Sequence, residues 1–239
     1  MKSSRFVLVW MILISFLLSG CWDRVDIDLI TFPLALGIER SPEGGGYKVY
    51  AQVAESKISG QGSSAETQFK VLESEGETIS RALTSMAERI QQYISWQHTK
   101  AVVVSEDLAR TGLKEIYESL SRYQEFRLTM YTLVTKSNIK ELFEVRPVAE
   151  TTLPTQFQAV KPVKDRTSEV IPVMLRQFAT DMFLQGENPV HGRVELVANG
   201  KKKELQFAGG AAFRKDKMVG WMSNHDALAW LFIRENTGN

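Results

Sequence analysis

The chain has 239 residues, 44% hydrophobic and 24% charged, a balance that excludes both a disordered polymer and a protein of many membrane spans. Lys and Arg number 29 against 28 Asp and Glu, so the net charge of +1 gives no overall electrostatic reason to bind DNA, RNA or another acidic polymer. The single cysteine, Cys21, excludes an intrachain disulfide, a cysteine-rich zinc site and a CxxC redox pair.

Residues 1–20 carry the pattern of an export signal. Lys2 and Arg5 form a basic start, Phe6 to Leu18 is apolar apart from Ser15, and Leu18-Ser19-Gly20-Cys21 closes the segment with small residues before a cysteine. As a helix the apolar run reaches only about 20 Å, short of a bilayer core of about 30 Å, so a permanent span is the weaker reading. The Leu-Ser-Gly-Cys ending looks like a bacterial lipobox, in which the cysteine thiol takes a diacylglyceryl group and the signal is cut just before it. A thiol is the one side chain here nucleophilic enough to form the thioether. Two acyl chains, at about 0.8 kcal/mol per buried CH₂, hold a protein stably where one does not. Loss of Lys2 and Arg5 leaves 27 cations against 28 anions, so the expected anchor is lipid and not a basic patch.

Trp22 to Asp28 is too charged to lie in lipid, and Leu34 to Ile38 is a strand candidate. Gly44-Gly45-Gly46 turns the chain into Tyr47, Val49, Ala51 and Val53, which alternate with Lys48, Tyr50 and Gln52 as in a half-buried strand of a hairpin. Ser59 to Ser64 has loop composition, and Phe69 to Leu72 is a third strand. Ile79, Ala82, Leu83, Met86, Ile90 and Ile94 recur at helical spacing, which predicts a helix over Thr78–Tyr93 with Thr78 as its N-cap. Ala101 to Val104 is a buried strand, and Leu113, Ile116, Tyr117 and Leu120 stripe a helix after an interruption at Thr111-Gly112. Leu128 to Val134 is a strand, and Ile139, Leu142 and Phe143 mark a short helix before Arg146-Pro147. Pro147, Pro154 and Pro162 punctuate an irregular connection, followed by a helix through Ile171, Leu175, Phe178 and Met182 with Pro172 in its first turn.

Beyond it the pattern is β-rich. Val194 to Val197, an Asn199-Gly200 type I′ turn and Glu204 to Ala208 form one hairpin, and Ala211 to Phe213 with Met218 to Met222 flank Lys215-Asp216 as another. Ser223 and Asp226 cap a helix over Asn224–Ile233. The fold class expected is α+β, a mixed sheet with packed helices that is at least partly parallel. A second, β-rich domain is expected to begin at residue 194, too small a core to stand alone.

Motifs for catalysis are absent: there is no G-x-S-x-G, HExxH, Walker A or G-x-G-x-x-G, and His98, His191 and His225 are isolated in sequence. His98 is expected to be hydrogen-bonded at a sheet edge, His191 to sit in the turn before Val194, and His225 in a first helical turn. Glu73, Glu75, Glu77, Glu106 and Asp107 are the carboxylates available for acid–base work on a glycan, but carboxylates near helix N-termini more often serve the helix dipole. Lys201-Lys202-Lys203 fits a solvated hairpin tip or an anionic-lipid contact, and Trp221 and Trp230 fit core packing or a partner surface.

The order of these motifs resembles the lipoprotein C subunit of bacterial spore germinant receptors, the Ger(x)C family. The residues that carry the resemblance are Cys21-Trp22-Asp23, Gly76-Glu77-Thr78, His98-Thr99-Lys100 before Val102-Val103-Val104, and Glu106 to Gly112 with Leu113. Further on they are Arg127-Leu128-Thr129, Gly209-Gly210-Ala211-Ala212-Phe213 and Lys217-Met218-Val219-Gly220. The resemblance implies a non-enzymatic protein anchored outside the spore inner membrane through Cys21, working with integral membrane subunits in a complex that responds to nutrients. It implies no catalytic residue, no cofactor, no metal and no nucleic-acid partner, and it leaves direct small-molecule binding open. Gly209 and Gly220 are expected to permit tight backbone geometry. Asp26 stands where the family commonly has Glu. The domains expected are then a lipoprotein signal peptide at 1–20, an N-terminal α/β germination-protein domain at 21–193, and a truncated start of a C-terminal domain at 194–239, poorly stable as it stands. Two other functions fit an exported lipoprotein: solute binding, which needs two complete lobes around a cleft, and cell-wall hydrolysis, which needs a carboxylate pair.

Overall fold

Four consecutive apolar residues, Ala101 to Val104, lack the alternation of a strand with one wet face, and all four are buried. They lie at the centre of an eight-stranded mixed sheet. In chain order its strands are β1 (Pro33–Arg40), β2 (Tyr47–Lys57), β3 (Glu66–Gly76), β4 (Ala101–Ser105), β5 (Tyr131–Thr135), β6 (Val190–Asn199), β7 (Lys202–Arg214) and β8 (Lys217–Met222). The spatial order is β8-β7-β6-β5-β4-β1-β2-β3. β1, β4, β5 and β6 run parallel, and an antiparallel pair flanks them on each side. The computed structural model describes residues 30–42, 44–57, 66–145, 170–184, 187–200 and 202–237, together with residue 10. The remainder of the signal segment 1–20, Cys21, the Ser59–Ser64 loop and the Pro147–Pro162 connection lie outside those residues.

The period-2 geometry of the strands sorts the sheet's apolar side chains into two cores. On one face Leu36, Ile38, Val49, Ala51, Val102, Val104 and Val134 meet helices α1 (Ile79–Ile90), α2 (Glu106–Thr111), α3 (Lys114–Arg122), α5 (Leu175–Phe183) and α6 (Asn224–Thr237). On the other, Ala35, Tyr50, Ala101, Val103 and Leu133 meet the short helix α4 (Ile139–Glu144). Gly37 of β1 lies directly under α4: a Cβ there would stand 2.4 Å from Ile139 Cγ2, so only glycine lets this helix settle on the sheet.

Local chemistry sets the helix ends. The Thr78 side chain accepts a hydrogen bond from Arg81 N–H, as an N-cap should, but α1 ends at Ile90 because Gln91 turns left-handed, with φ of 53°. The Ser105 and Asn138 side chains cap α2 and α4 in the same way. α5 starts at Leu175, later than the expected Ile171. Residues 171–174 instead lie along the sheet, with Thr132 N–H donating to Val173 C=O and Met174 bridged to Tyr131. Ile171 is fully buried at helical spacing from Leu175, which is why its pattern imitates a helix. Leu128 is likewise outside the expected strand, in a turn before Tyr131, and 44% exposed.

The boundary expected at residue 194 falls inside β6, and the strands beyond it complete the same sheet. Residues Thr31–Asn239 form one compact unit. The two hairpins do not need a core of their own, because Val194, Ala211, Phe213, Met218 and Ala227 are buried in the two cores already described. β7 is one strand where two short ones were expected. It bends at Gly209, whose φ is 72° and whose Cβ would stand 2.4 Å from Met222 C=O, next to the register shift between Gly192 and Val194. Gly220 has open space around it and no such need. The first hairpin turn lies one residue later than expected: Asn199 pairs with Lys202, and Gly200 carries the positive φ.

His191 is not in a turn. It lies on β6, fully buried, with ring centroids of Phe178, Phe213 and Tyr117 at 4.1, 4.7 and 5.7 Å. The Tyr117 hydroxyl is 3.0 Å from its Nε2, and burial pushes the imidazole pKa down to about 3 against the opposing effect of a backbone hydrogen bond to Thr132. The ring is therefore neutral, a polar cross-brace inside an aromatic cage that joins α3, α5, β6 and β7.

Two outcomes follow from this packing. Phe213→Ala should cost roughly 3–5 kcal/mol, and denaturation should remain a single transition, since Phe213 belongs to the main core and not to a separate domain. In limited proteolysis of the wild type, the resistant fragment should extend through α6; early loss of everything after residue 194 would contradict the shared core. The second outcome concerns acid. The folded protein excludes a proton that the unfolded chain binds below pH 6.5, so stability is complete above that pH and declines as pH falls toward 3. Between pH 6.5 and 5 the loss assigned to His191 is roughly 2 kcal/mol. Urea titrations at several pH values should show a flatter dependence for His191→Gln than for the wild type.

Candidate functional site

The functional residue expected first, Cys21, lies outside the described residues. His98 and Lys100 lie where the parallel strands begin. His98 ends a 3₁₀ turn, Trp96–His98, and is exposed, with its ring edge-on to Phe32 at 5.1 Å. Between them Thr99 is buried and donates from Oγ1 to Pro33 C=O at 3.1 Å. The Lys100 N–H donates to Leu34 C=O, and its carbonyl accepts from Tyr131 N–H, so its backbone starts two strand pairings while its side chain is exposed. The same edge carries Tyr93, 53% exposed, whose hydroxyl donates to Glu125 at 2.6 Å, and the exposed turn residues Arg127 and Leu128. Neither Tyr93 nor Leu128 stands out in the sequence, because each continues the apolar pattern of a neighbouring element.

At the opposite end, where β4 and β5 finish, Trp221 forms a tight polar cluster. Its indole N–H donates to Glu106 Oε1 at 3.0 Å, and Arg110 donates to the same oxygen at 2.6 and 2.9 Å. Lys136 and Arg193 approach the ring at 5.0 and 5.1 Å from its centroid, within cation–π range. Burial raises the Glu106 pKa, but hydrogen bonds from Arg110 and Trp221 outweigh it and hold the carboxyl below its ordinary value. A carboxylate so engaged is a fixed anion joining α2 to β8, not a proton donor. Trp221 is partly buried and packs against the main core, one of the two roles expected for it. Trp230 does the same under the Arg234 guanidinium, 4.9 Å from its ring. Arg234 also pairs with the buried Asp181 at 3.0 and 3.2 Å, which ties α6 to α5.

The other carboxylates are distributed and paired. Glu73 and Glu75 face Lys48 at 3.7 and 3.4 Å on the outer strands, and Lys140 reaches Glu73 at 3.4 Å. Ser41 Oγ donates to Glu75 and holds its pKa below the usual carboxylate value. Glu77, Asp107 and His225 are exposed. Lys203 pairs with Glu141 of α4 at 2.5 Å, and Lys202 is exposed at the start of β7, while Lys201 lies outside the described residues. Among the described residues no cluster of three or more His, Cys, Asp or Glu has the geometry to hold a metal.

Comparison with known proteins places this chain among germination proteins. A family model described as the spore germination protein N-terminal domain matches residues 23–196, beginning two residues after Cys21 and ending within β6. The putative spore germination protein YfkR of Bacillus subtilis (strain 168) is 27% identical over 98% of this chain and 62% of its own length. Spore germination protein KC of the same strain is 29% identical over 51% of this chain and 31% of its own. The crystal structure of the GerBC protein aligns with 79% of this chain and 51% of that one, at 14% identity and a TM-score of 0.31. The chain therefore spans about three fifths of the length of YfkR. It belongs to the family of spore germination proteins defined by this N-terminal domain.

Proposed function

We propose that this protein is a non-catalytic, lipid-anchored subunit of a spore nutrient-germinant receptor, held on the extracytoplasmic face of the spore inner membrane and assembled with integral membrane subunits. The observation that carries this reading is the junction at residues 18–23. A basic and then apolar leader ends in Leu-Ser-Gly-Cys, and the family match starts at Asp23. An export signal that stops where the conserved domain begins fits a cut before Cys21 and a diacylglyceryl thioether on its sulfur. Among the described residues, no helix is long and apolar enough to cross a membrane.

The titratable groups support a non-catalytic role. His191 is neutral and sealed in an aromatic cage, His98 and His225 are exposed, and Glu106 is engaged by Arg110 and Trp221. Such a subunit acts by tethering and assembly, with its body presented to partner subunits at the membrane.

Intact-mass analysis of the protein from its spores should show a chain beginning at Cys21 and carrying lipid. Cys21→Ala should abolish the lipid mass and the cut, and should leave the protein membrane-bound only through its uncleaved leader or not at all. An unmodified chain still starting at Met1 in the wild type would refute the reading.

A further inference from the structure

We propose that the edge of the sheet where the parallel strands begin, around Phe32, Tyr93, Lys100, Arg127 and Leu128, is the face of the protein that rests on an anionic lipid bilayer. This inference rests on the lipid-anchor reading above and adds an orientation to it. Its first support is reach. Nine residues past Cys21 the chain is fixed at Ile30–Thr31, a short strand paired with Tyr93–Ile94 just before β1, a distance of at most about 30 Å even if fully extended. The edge at Pro33 can meet the membrane while the intervening chain is slack, whereas the Trp221 end, on the far side of the five-residue strand β4 at about 3.3 Å per residue, meets it only if that chain extends past the body.

The second support is the composition of that edge. Tyr93 and Leu128 are 53% and 44% exposed, and Phe32 with His98 extends the aromatic surface. Leu184, 53% exposed, continues it across a groove of about 470 Å³ that it shares with Arg176, whose N–H donates to Leu128 C=O. Tyrosine beside leucine, with a polar tip and an apolar body, matches the headgroup layer of a bilayer. Lys100, Arg127 and Arg176 are exposed at the same edge. Of the carboxylates nearby, Glu125 is already held by Tyr93 Oη–H and Trp96 N–H, Asp181 is paired with Arg234, and Glu187 lines the groove. Each Lys or Arg at an anionic surface contributes roughly fivefold in local partitioning, enough for three to bias orientation once the tether has supplied the affinity. At the Trp221 end, where Val219 is 54% exposed, the cations are instead engaged with an indole ring and with Glu106 and Glu195.

The test is hydroxyl-radical footprinting of the processed, full-length protein in vesicles of phosphatidylcholine with phosphatidylglycerol, compared with the same protein in detergent. Oxidation of Phe32, Tyr93, His98 and Leu128 should fall several-fold in vesicles, while Trp221 is unchanged. The protection should weaken in high salt, in pure phosphatidylcholine, and in a Lys100→Glu, Arg127→Glu variant that remains vesicle-bound. Leu128→Ser, which leaves every charge in place, should weaken it also. Equal labelling of both ends in vesicle-bound protein, or protection at Trp221 instead, would overturn the orientation and leave the anchor standing. Protection that is absent from pure lipid but present in native membranes would assign the edge to a protein partner and overturn the proposal. Wild-type protein that fails to float with vesicles and carries no lipid mass would remove the anchor, and this inference with it.

Discussion

The burial of β4 on both faces is the constraint on which the rest of the structure depends. Val102 and Val104 belong to one core and Ala101 and Val103 to the other, all within 1% of full burial. A strand with no wet face needs hydrogen-bonded neighbours on both sides and helices above and below, which is the situation of parallel sheets in α/β proteins. β1 and β5 supply the neighbours in parallel register. Because parallel neighbours require crossovers, α1, α2 and α3 fall on the face of Val102 and Val104, where their stripes of Ile79, Leu83, Leu108, Ile116 and Leu120 close the larger core.

Among the described residues the other face is served by one helix of six residues, which fits it closely. α4 has only Ile139, Leu142 and Phe143 to bury, so it must approach the sheet closely to cover Ala35, Val103 and Leu133. Gly37 makes the approach possible. Gln52, nearly fully buried beside this helix, donates from Nε2 to the Phe143 carbonyl at 2.9 Å and so satisfies an acceptor in the last turn of α4.

What the sequence disclosed follows from which interactions are local. Periodicity located five of the six described helices and all eight strands of the main sheet at least in part, because side-chain alternation and caps such as Thr78 act within a few residues, while α2, a helix of six residues, is too short to show a stripe. The errors arise where distant partners decide. Ile171 keeps helical spacing with Leu175, yet Thr132 claims the carbonyl of Val173 and holds the segment to the sheet. The hairpins after Val194 look like the start of a separate domain until β5 is known to pair with β6, a contact between residues some sixty positions apart such as Leu133 and Gly192. The polar sites divide in the same way. The role expected for Cys21 is read from its neighbours Leu18, Ser19 and Gly20 alone. The cage around His191 is not, since Tyr117, Phe178 and Phe213 come from three other elements and carry no shared motif.

That cage also bears on how the proposed receptor subunit would act by assembly. A neutral imidazole, bonded to Tyr117 and packed by three aromatic rings, ties the C-terminal hairpins and α5 to the parallel strands, and Asp181 with Arg234 ties α6 to α5. These are buried polar contacts whose loss leaves an unpaired group, so they favour one arrangement of elements over slightly shifted ones. The two ends of the strands are thereby held at fixed positions relative to each other, Lys100, Arg127 and Leu128 at one and Trp221 with Glu106 at the other. If the chain is tethered as proposed, such rigidity matters more than affinity. With one edge on the lipid, the fold would determine the height and direction at which the opposite end is presented, and a partner embedded in the same membrane would meet a surface already oriented for it.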